Sequence, residues 1–96
     1  MDLESGSPEK FVASLYKNLT HYYNLAHFAL AELKKNSGVI INIGSKVAVT
    51  GQGHTSAYAA AKGGVNALTR EWAAELAPFS IRVNAVIKSE EHTSEL

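Results

Sequence analysis

The chain has 96 residues, which limits it to one small domain at most. Its formal net charge is zero, which argues against a nucleic-acid or anionic-membrane partner, because both usually select a basic excess. The absence of cysteine excludes disulfides and thiolate metal sites. No apolar run approaches the roughly 20 residues of a membrane span. No apolar signal-peptide core opens the sequence either, so by elimination we expect a cytoplasmic location.

The first predicted element is a long helix from about Pro8 to Lys35. Ser7 is a favourable N-cap residue, and proline suits the first helical position. The segment Asn36-Ser37-Gly38 is a typical stop signal. Apolar residues recur at helical spacing and make one stripe. The stripe consists of Phe11, Leu15, Leu19, Tyr22, Ala26, Leu30 and Leu33.

A strand–helix–strand unit is predicted for the rest of the chain. Val39 to Ile43 is a short β-branched apolar run, typical of a buried strand. A glycine-bearing loop from Gly44 to His54 leads into a second helix, from about Ser56 to Ala77, which ends where a proline follows. Ser80 to Ile87 is the second predicted strand. Such a unit normally forms a parallel crossover, which places the chain in the α/β class.

The second helix carries two polar residues beside its apolar face. Tyr58 and Lys62 lie one turn apart at its N-terminal end. A lysine next to a core-facing stripe is costly unless it has a partner or a purpose. Both residues follow the carboxyl end of a strand, which is the edge where open α/β sheets bind ligands. The apolar face consists of Ala61, Val65, Leu68, Trp72 and Leu76.

These residue types suit acid–base chemistry. A neighbouring ammonium group and a helix N-terminus both favour the ionised form of a tyrosine hydroxyl, which makes Tyr58 a candidate general base. Ser45, at the end of the first strand, is placed to hold a substrate oxygen. The alternative is a chance Tyr-x-x-x-Lys match on the surface. The order of strand, Gly44-Ser45, glycine-bearing loop and Tyr58 opening a helix favours a site.

Three segments together resemble consecutive signatures of the short-chain dehydrogenase/reductase family: Ile41–Ser45, Tyr58–Gly63 and Ile81–Val86. The resemblance implies that residues 1–88 are a central-to-late, helix–strand–helix–strand segment of a Rossmann-like, doubly wound parallel sheet. It also implies an oxidoreductase that uses NAD or NADP.

The resemblance implies a role for four residues. Tyr58 would be the acid/base that takes the hydroxyl proton during oxidation. Lys62 would support its ionised form, and both residues would contact the cofactor, with the lysine bonding the nicotinamide ribose. Ser45 would orient the substrate oxygen. Asn18, within Lys17-Asn18-Leu19, matches the asparagine that holds a water in a proton relay; the alternative is a mid-helix polar residue without a role.

A narrower resemblance is to L-fucose dehydrogenases, which oxidise the anomeric hydroxyl of the sugar to a lactone. It rests on His21–Tyr23, Ser45–Gly53 and Leu68–Ala73. A polyol substrate needs several hydrogen-bonding groups, because buried unpaired hydroxyls are penalised. The loop offers such groups in Gln52 and His54, together with Ser45 and Tyr58. The alternative for His54 is a loop residue that faces water.

Several features depart from the family pattern. The glycine-rich dinucleotide fingerprint is missing, and Lys88 with the polar segment 89–96 replaces the usual continuation. We therefore predict a truncated chain, inactive alone, with a disordered or non-native tail over 89–96. The four histidines have no metal-ligand spacing, so no metal site is predicted.

Assembly and substrate leave alternatives open. The family's two corresponding helices commonly pair subunits, so the resemblance implies a homo-oligomer, a dimer or a tetramer. Small residues would permit close packing of the second helix, although an exposed alanine-rich face is the alternative. Two other hypotheses for the function stay open. The chain could come from a family member that acts on a different alcohol or ketone, or it could be a non-catalytic chain that pairs through its helices. The small residues are Ala60, Gly63, Gly64, Ala67 and Ala74.

Overall fold

A computed structural model describes residues 3–45 and 53–88, with the backbone alone at Ser45 and Lys88. The elements in chain order are α1 (Pro8–Leu15), a π-helical turn (Tyr16–Thr20), α2 (His21–Asn36), β1 (Val39–Ser45), α3 (Ser56–Leu76), a 3-10 turn (Ala77–Phe79) and β2 (Arg82–Lys88). The two predicted helices and two predicted strands are confirmed, with boundaries within two residues of those expected.

Both ends of the first helical run use the signals found in the sequence. The Ser7 hydroxyl accepts from the backbone N–H of Lys10 at 3.2 Å, which confirms the N-cap. At the other end Ser37 adopts a left-handed conformation with φ 50°. The N–H of Gly38 then donates to the Leu33 carbonyl at 2.9 Å, which satisfies a carbonyl of the last turn.

The middle of that run differs from the regular helix that the sequence predicts. Tyr16–Thr20 forms a π-helical turn between α1 and α2. Within it, the Asn18 amide Nδ2 donates to the Ser14 carbonyl at 2.9 Å and to the Ser14 hydroxyl at 3.2 Å. An amide side chain that bonds a carbonyl four residues earlier competes with the backbone donor, and this competition favours a widened turn.

The two strands form a parallel pair, as the sequence predicts. The register runs from Val39 opposite Arg82 to Ser45 opposite Lys88. Because both strands point the same way, their carboxyl ends meet at one edge. The chain that leaves Ser45 returns through α3 to the far end of the pair, so α3 runs against the strand direction.

Only one face of β1 is covered in the described ranges. Asn42 is 5% exposed on the covered face, whereas Ile41 and Ile43 on the other face are 60% and 45% exposed. The predicted buried strand is therefore buried on one face only, among the residues that the structure describes. The reason is that α2 and α3 both contribute to a single core on the same side of the sheet.

That core lies between the helices and the strand pair. Its buried members are Trp72 and Leu76 of α3, Ile81, and Val83 of β2. The predicted stripe of the first helical run is half-buried at every position, including Ala26, Leu30 and Leu33, which pack against this core. Within the two described ranges, no helix has the length and apolarity needed to cross a membrane.

The small residues of α3 do not all share one face. Gly63 has nothing within 4 Å of the position a Cβ would take. Gly64 instead meets the Leu19 side chain, whose Cδ2 would lie 2.9 Å from an added Cβ, so this glycine permits close packing inside the chain. It is not part of an outer face, and the exposed small side chains are Ala60, Ala67 and Ala74.

Candidate active site

Two contacts fix how α3 lies along β1. Asn42 Nδ2 donates to Thr69 Oγ1 at 2.9 Å. Two residues further along the strand, a Cβ on Gly44 would lie 2.7 Å from Asn66 Oδ1. Movement toward the carboxyl end of β1 is thus movement toward the start of α3. The first turns of the helix therefore lie just beyond the end of the strand, at the edge where α/β sheets bind ligands.

Gly44 is needed for this close approach. An added Cβ would meet the Asn66 oxygen at 2.7 Å and the Ile87 Cδ1 at 2.9 Å. The Asn66 Oδ1 is buried and has no hydrogen-bond partner among the described residues. A side chain at position 44 would push α3 away from the sheet and shift the helix start.

Tyr58 and Lys62 lie together in those first turns, both half-buried. The Lys62 ammonium is 5.8 Å from the ring centroid of Tyr58 and 5.6 Å from that of Tyr22. Such distances are within reach of a cation–π interaction. The ammonium also lies 3.5 Å from the Tyr22 hydroxyl, which donates to the Ile43 carbonyl at 3.2 Å. The predicted pairing of Tyr58 with Lys62 at a helix start is present.

This arrangement suits proton transfer at a tyrosine. Tyr58 lies in the first turn of α3, where unsatisfied backbone N–H groups concentrate positive potential. Lys62 adds a formal positive charge one turn away. A tyrosine hydroxyl in this position can exchange a proton with an alcohol bound at the strand edge.

The structure describes only part of the other predicted site residues near the loop between β1 and α3. Ser45 is the last residue of β1, at the same edge as the start of α3, and its side chain is not described. Gln52 lies outside the described ranges. His54 is exposed and has φ 64°, a left-handed conformation that a non-glycine residue rarely adopts. Its assignment to substrate stays a prediction.

Asn18 lies on the π turn, which packs against α3 through Leu19 and Gly64. The asparagine is half-buried, and its amide is bonded to Ser14. The turn therefore comes within two residues of Lys62 along α3. The water that Asn18 would hold in a proton relay stays a prediction.

The sequence model of the short chain dehydrogenase family matches residues 2–93, nearly the whole chain. This chain belongs to the short-chain dehydrogenase family. The match confirms the resemblance seen in the strand and helix motifs. It also makes the parallel strand pair with α3 a segment of the Rossmann-like fold of these oxidoreductases, as predicted. Family members generally use NAD or NADP.

Individual members of the family cover similar shares of the chain. An L-fucose dehydrogenase of Rattus norvegicus is 39% identical over 83 residues, which are 86% of this chain and 31% of that protein. A 3alpha-hydroxysteroid dehydrogenase of Mediterraneibacter gnavus is 40% identical over 80 residues, 82% of this chain and 32% of that protein. The crystal structure of Cj0485 dehydrogenase superposes with a TM-score of 0.91 at 43% identity, covering 94% of this chain and 35% of that one.

The chain thus spans about a third of the length of the curated relatives it matches. The predicted boundary at residue 88 stays a prediction, and residues 89–96 lie outside the described ranges.

The sequence analysis missed one residue of this candidate site. Tyr22 counts as an apolar stripe member by its spacing, but its hydroxyl contacts both Lys62 and the backbone of β1. The available signal was chemical, because a tyrosine on a core-facing stripe usually finds a hydrogen-bond partner for its hydroxyl.

Proposed function

We propose that this chain carries the catalytic residues of an oxidoreductase that transfers hydride between a sugar hydroxyl and NAD or NADP. The observation that supports it best is the Lys62 ammonium 5.8 Å from the Tyr58 ring, in the first turns of a helix that starts at the carboxyl edge of β1. Family membership supports the reaction class.

The chain's own residues divide the chemistry. During oxidation, Tyr58 takes the proton of the substrate hydroxyl at its phenolic oxygen, and it returns the proton during reduction. Lys62 stabilises the negative charge on that oxygen. Ser45, at the end of β1, orients the substrate oxygen through its hydroxyl. Asn18, on the π turn beside α3, holds a water that connects the lysine to solvent.

The residues present fit the nicotinamide half of the cofactor. An ammonium group has three donors, and one of those on Lys62 faces the Tyr22 hydroxyl. The remaining donors suit the hydroxyls of a ribose, which accept hydrogen bonds. A bound nicotinamide supplies the site that accepts or gives the hydride. Tyr58, one turn earlier, borders the same space.

The relatives favour L-fucose as the substrate, because L-fucose dehydrogenases from four organisms are 37–39% identical over 86–88% of the chain. An L-fucose dehydrogenase shares 39% identity over 86% of the chain. A sugar needs several hydrogen-bonding partners, and the loop between β1 and α3 offers Gln52 and His54. The left-handed backbone at His54 supports a functional role for this loop, because strained conformations cluster near active sites.

The second candidate keeps the reaction and changes the alcohol. A 3alpha-hydroxysteroid dehydrogenase is equally similar, with 40% identity over 82% of the chain, so a cyclic alcohol of a less polar kind is the alternative substrate. A non-catalytic chain that pairs through its helices is the third candidate.

We place the full-length protein in the cytoplasm as a homo-oligomer, for which the exposed alanines of α3 offer a surface.

The test uses the protein expressed from its complete reading frame. Formation of NADH or NADPH is followed with L-fucose, with its mirror image D-fucose as the matched control, and with a 3alpha-hydroxysteroid. Turnover of L-fucose over D-fucose supports the proposal. Turnover of the steroid alone keeps the reaction and discards the sugar. No turnover of any alcohol overturns the proposed reaction in favour of the pairing role.

A further inference from the structure

The Tyr22 hydroxyl connects three elements of the fold. It lies 3.2 Å from the Ile43 carbonyl of β1 and 3.5 Å from the Lys62 ammonium of α3, while its own backbone belongs to α2. Both Tyr22 and Lys62 are half-buried. The partners are 21 and 40 residues away along the chain, so this junction is a product of tertiary packing.

The chemistry of the groups fixes the direction of these bonds. A carbonyl only accepts and an ammonium only donates. The Tyr22 proton therefore goes to Ile43, and a lone pair on the same oxygen faces Lys62. The result is a one-way chain from the ammonium through the hydroxyl to the strand backbone, anchored two residues before Ser45.

The ring of Tyr22 acts on the same charge. Its centroid is 5.6 Å from the ammonium, and the Tyr58 ring is 5.8 Å from it on the catalytic side. A lysine side chain is a flexible stem with many rotamers, so its charged end needs contacts to stay in one place. Tyr22 supplies a hydrogen-bond acceptor and an aromatic face, and β1 holds both in position.

We propose that Tyr22 is a positioning residue that holds the Lys62 ammonium beside Tyr58, an inference that rests on the proposed function. The role requires the tyrosine hydroxyl. A phenylalanine has the same ring, but it has no oxygen to accept a hydrogen bond from the Lys62 ammonium or to donate one to the Ile43 carbonyl. Tyr22 does not touch the reacting atoms; it acts through Lys62.

The first test measures Lys62 directly and does not need turnover. The protein from the complete reading frame is treated with trace acetic anhydride, and acetylation of each lysine is read by peptide mass spectrometry. Acetylation requires the neutral amine, so the ammonium must first give up a proton and the hydrogen bonds that stabilise its charged form. Tyr22→Phe is expected to raise the rate at Lys62 by about threefold or more, the effect of losing one such bond, while Lys10 in the same sample stays unchanged.

Tyr23→Phe is the matched control, since Tyr23 is 53% exposed and its ring stacks on His27, which phenylalanine preserves. An unchanged rate at Lys62 in Tyr22→Phe overturns the inference, whether or not the protein turns over an alcohol. If Tyr22→Phe unfolds at the assay temperature, both proteins are compared at a lower temperature at which circular dichroism shows them folded. A raised rate at Lys62 there supports the inference, and an unchanged rate overturns it.

The second test is kinetic. With an alcohol that the parent protein oxidises, Tyr22→Phe is expected to lower kcat by about three- to tenfold and to leave KM for the alcohol unchanged. A rise in KM with unchanged kcat would assign Tyr22 to substrate binding and overturn the positioning role. A parent protein without turnover removes the proposed function alone, since the acetylation result still decides the role of Tyr22.

Discussion

Asn42 Nδ2 donates to Thr69 Oγ1 at 2.9 Å inside the contact between β1 and α3. The two residues are 5% and 9% exposed. The Thr69 hydroxyl donates in turn to the Val65 carbonyl at 2.8 Å, so it both accepts and donates a hydrogen bond. This buried pair prevents α3 from sliding along the strand, and it thereby sets where Tyr58 and Lys62 stand relative to the strand end.

Thr69→Val is expected to lower the free energy of unfolding by about 1–3 kcal/mol, because it keeps the shape but leaves the buried Asn42 amide without its acceptor. The measurement is urea unfolding of the protein from its complete reading frame. Thr69→Ser retains the hydroxyl and is expected to lose less. A valine variant as stable as the serine variant would show that the hydrogen bond does not hold α3 on the strand.

Tyr58→Phe is expected to reduce the rate of alcohol oxidation by about 10²- to 10⁴-fold, the range that a general acid–base contributes. The ring is retained, so the thermal melting temperature should stay close to that of the parent. Tyr16→Phe is the matched control, since Tyr16 is 72% exposed on the π turn. Substantial turnover by Tyr58→Phe would mean that another group moves the proton.

The paired glycines of α3 are expected to respond differently to alanine. Gly63→Ala places a methyl where nothing lies within 4 Å, so it should stabilise the helix by about 0.5–1 kcal/mol. Gly64→Ala should gain less, because its methyl must displace Leu19. The comparison is made by thermal unfolding. Destabilisation by Gly63→Ala would reveal that a second helix packs against this position in the assembled protein.

Two serines have left-handed backbone conformations, and replacing either with glycine is expected to raise the free energy of unfolding. Ser37 and Ser80 have φ 50° and 61°, which costs a residue with a Cβ roughly 1–2 kcal/mol. After the extra chain entropy of glycine, Ser80→Gly and Ser37→Gly should each stabilise by about 0.5–1 kcal/mol. Ala67→Gly, at an exposed position in the middle of α3, is the control and should destabilise. Equal effects at all three sites in urea unfolding would contradict the strain argument.

Local signals explain why so much of the fold could be predicted. Ser7 before a proline marks the first helix start, and Asn36-Ser37-Gly38 marks its end; both are confirmed. The spacing of apolar residues along α3 identifies its buried face correctly. The pairing of Tyr58 with Lys62 could also be predicted, because two residues spaced four apart on a helix lie on the same side of it.

The missed features depend on register between distant elements. Tyr22 meets Lys62 across 40 residues, and Asn42 meets Thr69 across 27. Spacing along one helix or strand says nothing about which residue it meets on another. The π turn was missed for a different reason. The Asn18 side chain competes with the backbone for the Ser14 carbonyl, and the spacing of apolar residues carries no information about that competition.

The π turn has a consequence for how this helix can change. It holds one residue more than an α-helical turn would, so α1 and α2 are out of phase by about 100° around their common axis. Loss of one residue between Tyr16 and Thr20 would restore a uniform helix and swing Pro8–Leu15 to a new side, while Tyr22 kept its place against Lys62. The turn therefore sets the angle at which the outer half of the helix leaves the half that carries Tyr22, and a deletion there would also displace Asn18 and Leu19, which lie beside α3.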